Sequence, residues 1–548
     1  MIIASLIFFT IVTILAPIVG KYMALVFEYR KSVLFIKFYR EQNWREYFSS
    51  LFIFNLICIL FTFAIIFWQD HLPTGNQASS DNKLGFAATL NAAISFVTGT
   101  FWQSHNPEQD LTIFSQIFAL TAQNFLSAAT NIAVFIAFVR GITNNNFSSI
   151  GNFYEDFLRS LLLIFLPFSL IIALFLIYGD VPHDFTGTIN YLNPDGVKDR
   201  LFIGPAAGQI AIKHLAVNGG SIFASSSAHP FEGASRMAVM LQLFLIVIMP
   251  AALIFTYGFM VKALEFSWSL YGIVIVVMLI SFAVLYFGET DYAIPLILNG
   301  QTVVDNFNYT GKEMIYDKFP SLMWVLSITM SSDGSANACL ENYSPLSTFV
   351  LFSNLIMSKF IMEGVGSGSF AMLAYLIISV FLRGLITGHN TNFFGKKIGM
   401  NEINYVIIVF LILPIGVLLF TGITFLLPEA RNLITYNGSQ AVTDIAYNFA
   451  SNFAGNGSSF AGLSSANDYF NYMTALAMFI GRYLVIYYSL AISGSFACKQ
   501  KIRSNTGTYA SSIELSFFLL ITVLIVGAIM FMPLMILGPL LEFMNLRL

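Results

Sequence analysis

Four short runs of small and polar residues carry the chemistry that this sequence could perform. They are TGTF at 98–101, VNGG at 217–220, SDGS at 332–335 and AGNG at 454–457. Glycine lets a backbone carbonyl point in directions that other residues avoid, and small side chains let several loops approach one another. Converging carbonyls can replace the hydration shell of a cation. The four runs together predict a cation filter, although any single run could be an ordinary turn.

The predicted filter consists of all the residues in these runs: Thr98, Gly99, Thr100, Phe101, Val217, Asn218, Gly219, Gly220, Ser332, Asp333, Gly334, Ser335, Ala454, Gly455, Asn456 and Gly457. Gly219 and Gly334 are the positions that we expect to be least able to accept a side chain.

The spacing of the runs indicates an internal repeat. Their first residues are 119, 115 and 122 residues apart. Each run follows an apolar segment too short to cross a bilayer, and a full-length apolar segment lies on either side. This pattern predicts four units of span, pore loop and span. The predicted segments are a flanking helix with its loop at 1–46, pore repeats at 47–141, 142–262, 263–383 and 384–498, and a last flanking helix at 499–548.

The composition requires a membrane protein. The 548 residues are 57% hydrophobic and 10% charged, with a mean hydropathy of +0.75, whereas soluble domains carry about 25% charged residues. Eight charge-free windows and two interrupted ones, at 342–382 and 469–498, are long enough to span a bilayer. We therefore predict an all-α polytopic membrane protein with ten transmembrane helices, surrounded by membrane lipid. The net charge of −3 gives no reason to expect a nucleic-acid partner.

The connections between spans predict the orientation. One alternating set of connections carries 15 Lys and Arg in 86 residues, and the other carries 9 in 198 residues. Cytoplasmic connections are enriched in basic residues, so the first set should be cytoplasmic. Both termini and all four runs then face the extracytoplasmic side.

The seventh span contains charges and a glycine-rich break. Lys359 and Glu363 are four residues apart and share a helix face, and Gly364, Gly366 and Gly368 follow. Charges inside a span usually face a water-filled path, so one interpretation is a hinge or gate below the filter. The alternative is close packing of helices through small residues.

Two further charged residues each allow two interpretations, and a third has one simple interpretation. Asp333 could stand beside the ion and tighten its binding, or its side chain could cap local backbone amides. Arg482, inside the ninth span, could be a barrier to cations or could pair with backbone carbonyls. Lys213, just before the second run, is most simply an anchor at the membrane interface.

No ATP-hydrolysing machinery is visible in the sequence. The glycine-rich runs GVGSGS and GNGSSFAG lack the lysine of a phosphate-binding loop, and no aspartate stands in a DKTG-type motif. We therefore expect a chain without hydrolytic activity of its own and without an organic cofactor. A membrane-embedded enzyme, such as a lipid-modifying transferase, would need convergent acid, base or metal ligands, and the His and Asp residues are scattered.

Nearly the whole chain resembles the KdpA family, which belongs to the superfamily of potassium transporters that includes TrkH and KtrB. The matching stretches are SFVTGTFWQS (95–104), FSQIFALTAQNFLSAATNIAV (114–134), GPAAGQIAIKHLAVNGG (204–220), SSAHPFE (226–232), EGVGSGSF (363–370), FFGKKIGMNEI (393–403) and NGSSFAGL (456–463).

The resemblance implies a function and partners. It implies a subunit of a P-type potassium-transporting ATPase, the KdpFABC complex of the bacterial inner membrane, with K+ as the transported ion. KdpB would hydrolyse ATP and receive the ion, and KdpC and KdpF would complete the complex. The resemblance also implies roles for Gln103 just after the first run, for the broken seventh span as a gating helix, and for Arg482 below the filter. The alternative is a stand-alone channel or symporter of the Trk/Ktr type.

Overall fold

The computed structural model describes most of the chain. The described residues are 2–28, 40–73, 84–144, 148–185, 187–192, 196, 198–291, 296–298, 301–303, 307–312, 318–361, 368–388, 391–460, 466–501 and 512–547.

Fifteen helices build the described part of the chain. In chain order they are α1 (Ile2–Glu28), α2 (Trp44–Phe67), α3 (Phe86–Thr98), α4 (Ile113–Thr143), α5 (Phe153–Tyr178), α6 (Ala206–Leu215), α7 (Arg236–Val261), α8 (Leu264–Asp291), α9 (Lys318–Ser331), α10 (Pro345–Ile361), α11 (Gly368–Thr387), α12 (Met400–Leu426), α13 (Gly438–Ala454), α14 (Asp468–Ala497) and α15 (Ile513–Asn545). Shorter helical turns lie in the connections.

Within the described residues, nine of these helices are long and apolar enough to cross a membrane. They are α1, α2, α4, α5, α7, α8, α12, α14 and α15, and each coincides with a window predicted from the sequence. The remaining window, the seventh span at 342–382, overlaps α10 and α11, which are shorter. They lie on either side of residues 362–367, which are outside the described residues. The predicted class, an all-α polytopic membrane protein, is confirmed.

The order of long and short helices repeats along the chain. A long helix, a short helix and a second long element follow one another as α2–α3–α4, α5–α6–α7, α8–α9 with α10 and α11, and α12–α13–α14. The short helices α3, α6, α9 and α13 have 13, 10, 14 and 17 residues. At about 1.5 Å per residue they fall short of a hydrocarbon layer about 30 Å thick. Helices α1 and α15 remain outside this order. The boundaries of the six predicted segments stay a prediction.

The strands are short and serve only the connections. Among the described residues, four antiparallel pairs join β1 (Gln42–Asn43) to β2 (Ser149–Gly151), β3 (Thr188–Leu192) to β4 (Lys198–Phe202), β5 (Leu296–Leu298) to β6 (Gln301–Val303), and β7 (Asn392–Phe393) to β8 (Lys396–Lys397).

Burial separates central helices from peripheral ones. The most apolar windows of α4 and α7 are 83% buried inside the protein, whereas that of α1 is only 28% buried. A helix that is apolar all round needs a partner on every face. Helices α4 and α7 find that partner in other helices, while the outer helices leave apolar side chains such as Leu170 for lipid.

A buried lysine ties the connection between α11 and α12 to two of the repeats. The Lys396 Nζ donates to the carbonyl oxygens of Gly141 (3.0 Å), Phe496 (2.6 Å) and Asn144. Gly141 lies in the last turn of α4, Asn144 directly follows α4, and Phe496 lies in the last turn of α14. The last carbonyls of a helix have no partner within the helix. One cation therefore satisfies the ends of two helices from different repeats.

Replacing Lys396 should destabilise the protein. In Lys396→Met three carbonyls lose a charged donor, and we expect the free energy of unfolding to fall by about 2–4 kcal/mol. Thermal unfolding in detergent measures the change. Lys397→Met is the matched control because the side chain of Lys397 is exposed. Equal melting temperatures for the two variants would contradict this role.

Candidate functional site

All four short helices end in the same backbone conformation. A residue with positive φ follows each helix: Gly99 (74°), Val217 (53°), Ser332 (57°) and Gly455 (77°). The N–H of the next residue then reaches back five residues, from Thr100 to the Ser95 carbonyl (3.0 Å), Asn218 to Lys213 (2.8 Å), Asp333 to Ile328 (3.0 Å) and Asn456 to Ser451 (2.9 Å). This bond is the mark of a Schellman cap. The four predicted turns therefore share one local structure.

The shared cap fixes which residues are equivalent. Thr98, Ala216, Ser331 and Ala454 each precede the residue with positive φ. The first and fourth turns therefore begin where the sequence predicted, at 98 and 454. The second and third turns begin at 216 and 331, one residue earlier than predicted. The reason is that Val217 and Ser332 take the left-handed conformation, which glycine adopts more readily than other residues.

The backbones of neighbouring turns touch. A Cβ atom added to Gly219 in the second turn would lie 2.6 Å from the Gly334 Cα in the third. A Cβ added to Gly334 would lie 2.7 Å from the Asn456 carbonyl oxygen in the fourth. Real Cβ atoms do not approach other atoms this closely, so both positions require glycine.

The remaining contacts close the circle. A Cβ added to Gly457 in the fourth turn would collide with the Thr100 carbonyl oxygen in the first, and one added to Gly220 would lie 3.1 Å from the Phe101 Cβ. The first turn thus contacts the second, the second the third, the third the fourth and the fourth the first. We call this arrangement of the four turns the ring.

Each short helix also holds the chain that leaves its turn. In three repeats this contact comes from the residue eight positions before the positive-φ residue that ends the helix. Gln209 Nε2 donates to the Gly220 carbonyl (3.3 Å), and Trp324 Nε1 donates to the Ser335 carbonyl (2.7 Å). The hydroxyls of Tyr447 and Ser458 form a hydrogen bond of 2.9 Å. In the first repeat the Ser95 hydroxyl donates to the Trp102 carbonyl (2.8 Å). The ring is therefore braced from behind in every repeat.

Gln103 joins the first turn to the second. Its Nε2 donates to the Ser221 carbonyl (3.0 Å), and its Oε1 accepts from the Ser221 N–H (2.9 Å). This paired contact matches a backbone donor and acceptor with one amide side chain.

The prediction that Lys213 anchors at the membrane interface is wrong. Its side chain is fully buried, and its Nζ lies 2.8 Å from the Glu232 Oε2, which is equally buried. No sequence pattern indicates this pairing, because Glu232 lies beyond the second turn and meets α6 only in the folded protein.

The side chain of Asp333 caps a backbone amide, which is the second of the two roles that the sequence allows. Its Oδ1 accepts from the Ser335 N–H (2.8 Å), and its Oδ2 lies 3.9 Å from the His214 Nδ1. Asn456 occupies the equivalent position and likewise accepts from the Ser458 N–H (2.9 Å). The two side chains thus form the same type of turn.

Arg482 lies beside two of the turns. It lines a small cavity together with Thr98 and Gly99 at the end of α3 and Ala454 and Gly455 at the end of α13. The C-terminal end of a helix carries partial negative charge, so a buried guanidinium is favourable there. Helix α14 packs closely against the end of α13 because Gly481 has no side chain, and a Cβ there would collide with the backbone of Phe453.

The predicted gate lies partly outside the described residues. Glu363, Gly364 and Gly366 lie outside the described residues, whereas Lys359 lies in the last turn of α10 and Gly368 begins α11.

Comparison with known proteins gives a consistent result. Residues 6–544 match the family described as "KdpA: Potassium-transporting ATPase A subunit". A protein of Pseudomonas fluorescens is 35% identical over 98% of both chains. A protein of Leptospira interrogans is 34% identical over 98% of this chain and 97% of its own. Both are named potassium-transporting ATPase potassium-binding subunit. The chain belongs to the KdpA family.

Proposed function

We propose that the ring is a selectivity filter for K+. The observation that carries the proposal is that four turns with one backbone structure contact each other in a closed circle. Four helices also end at the ring, and the partial negative charge of each C-terminal end favours a cation there. Backbone carbonyls at such a place can replace the water around K+. The ion is the cargo of the protein and is held only in passing.

We further propose that the chain is the potassium-binding subunit of an ATP-driven uptake complex. The names of its relatives support this role. In the proposed complex KdpB hydrolyses ATP and receives the ion from this chain, and KdpC and KdpF complete the assembly. The complex would lie in the bacterial inner membrane, with both termini of this chain extracytoplasmic. Isolation of this chain without an ATPase subunit would favour a stand-alone channel or symporter of the Trk/Ktr type.

Gly219 offers a direct test of the filter. In Gly219→Ser the new side chain would collide with Gly334 and push the second and third turns apart. Overpacking of this kind costs about 1–3 kcal/mol, so the preference for K+ over Na+ should fall about tenfold. Displacement of radioactive Rb+ from membranes that contain the protein, by each ion in turn, measures this preference.

Gly272→Ser is the matched control for this variant. Gly272 lies in α8, and a Cβ added there would have no atom within 4 Å apart from its chain neighbours and the nearby backbone of α8 itself. The control should keep the preference of the wild type. An unchanged ratio in Gly219→Ser would refute the assignment of the filter.

Asp333 should act through its hydrogen bond rather than its charge. Asp333→Asn keeps an acceptor for the Ser335 N–H, as Asn456 does for Ser458, so it should bind K+ with nearly the affinity of the wild type. Asp333→Ala loses the bond, worth about 1 kcal/mol, and should bind several-fold more weakly. The same displacement assay compares them, and equally weak binding by both variants would place the charge beside the ion.

A further inference from the structure

A buried ion pair stands directly behind the second turn. The Lys213 Nζ donates to the Glu232 Oε2 (2.8 Å) and to the hydroxyls of Ser226 (3.2 Å) and Ser227 (2.9 Å). The Ser227 hydroxyl in turn donates to the same Glu232 oxygen (2.9 Å). All three donor positions of the ammonium group therefore have an acceptor. A buried pair is tolerated when its remaining hydrogen-bonding positions are filled in this way.

The pair continues to the first turn through two more residues. The second carboxylate oxygen of Glu232 accepts a bond from the Ser221 hydroxyl. The backbone N–H and carbonyl of Ser221 are both held by the Gln103 amide. Lys213, Glu232, Ser221 and Gln103 thus form an unbroken chain of bonds from α6 to the residue that follows the first turn.

Both members of the ion pair are also fixed to the scaffold through their backbone carbonyls. The Lys213 carbonyl accepts the cap bond from Asn218 in the second turn (2.8 Å). The backbone carbonyl of Glu232 accepts from the Gln242 Nε2 of α7 (2.7 Å). A change in the pair would therefore be transmitted to the second turn and, through Gln103, to the first.

The equivalent positions in the other repeats show what the pair replaces. Lys213 corresponds to Ser95, Ile328 and Ser451, which all lie four residues before the residue with positive φ. The Ser95 hydroxyl bonds to the Trp102 carbonyl just after the first turn (2.8 Å), and the Ser451 hydroxyl accepts from the Gly457 N–H at the end of the fourth (3.0 Å). In the second repeat, Lys213 and Glu232 together reach the corresponding chain at Ser221.

We infer that the Lys213–Glu232 pair is a positioning device that sets the junction between the first and second turns and thereby the preference for K+ over Na+. This inference rests on the proposed function of the ring. The working part of the device is the acceptor that Glu232 offers to Ser221, and Lys213 holds that acceptor in place.

Three variants separate positioning from charge. Lys213→Met/Glu232→Leu removes the pair and the acceptor together, and apolar replacement of a buried pair often leaves stability intact. Lys213→Met/Glu232→Gln removes the charges but keeps an oxygen for Ser221. Ser221→Ala removes only the hydroxyl and leaves the backbone contact with Gln103. It provides a test even if a double variant fails to fold.

The matched control is a second buried pair away from the ring. Lys312 and Glu289 also lie 2.8 Å apart and are almost fully buried, and their other contacts are in the connections around Asn308 and Ser344. Lys312→Met/Glu289→Leu therefore imposes a comparable change on a part of the protein that does not contact the four turns.

The measurement is displacement of radioactive Rb+ by K+ and by Na+, using the full chain in membranes with its natural subunits. In Lys213→Met/Glu232→Leu the preference for K+ should fall about tenfold, and in Ser221→Ala several-fold. The glutamine variant should restore most of the preference, and the control pair should keep it.

Three results would overturn the inference: a wild-type preference in both the leucine variant and Ser221→Ala, no rescue by glutamine, or an equal loss in the control pair. Equal displacement by K+ and Na+ in the unchanged protein would instead overturn the proposed function, and this inference with it.

Discussion

Backbone hydrogen bonding at membrane depth is the constraint on which the rest of the structure depends. A chain that leaves a helix inside a bilayer must find partners for its backbone groups within the protein. All four turns meet this requirement with the same cap, in which an N–H bonds to a carbonyl five residues earlier. The cap ends the helix, reverses the chain and brings the next residues against the neighbouring turn. The ring is therefore built from the same capping turn at the ends of four short helices.

The support behind the ring differs from repeat to repeat. Gln209, Trp324 and Tyr447 occupy one equivalent position and differ in size and chemistry, yet each holds the chain that leaves its own turn. What the repeats share is thus a hydrogen-bonding task and not a residue type. The largest departure is the buried pair of Lys213 and Glu232, where two charged residues act at a place that a single serine serves in the first and fourth repeats.

The spans and the existence of four turns could be predicted from the sequence because hydropathy and glycine spacing report directly on membrane crossing and backbone freedom. The register of two turns could not, since Val217 and Ser332 adopt positive φ without being glycine. The burial of Lys213 could not be predicted either, because its partner lies in a connection with no regular pattern. The sequence allows two roles for Asp333, and the hydrogen bond from the Ser335 N–H identifies the capping role. Side-chain contacts between distant segments are set by tertiary packing, which sequence patterns do not encode.

Binding of the transported ion by the ring can be tested by crystallography with Tl+ in place of K+, using the anomalous signal to locate the ion. We expect a peak on the axis of the ring, within coordination distance of backbone carbonyls from all four turns. A clear peak elsewhere in the protein, with none between the turns, would contradict it.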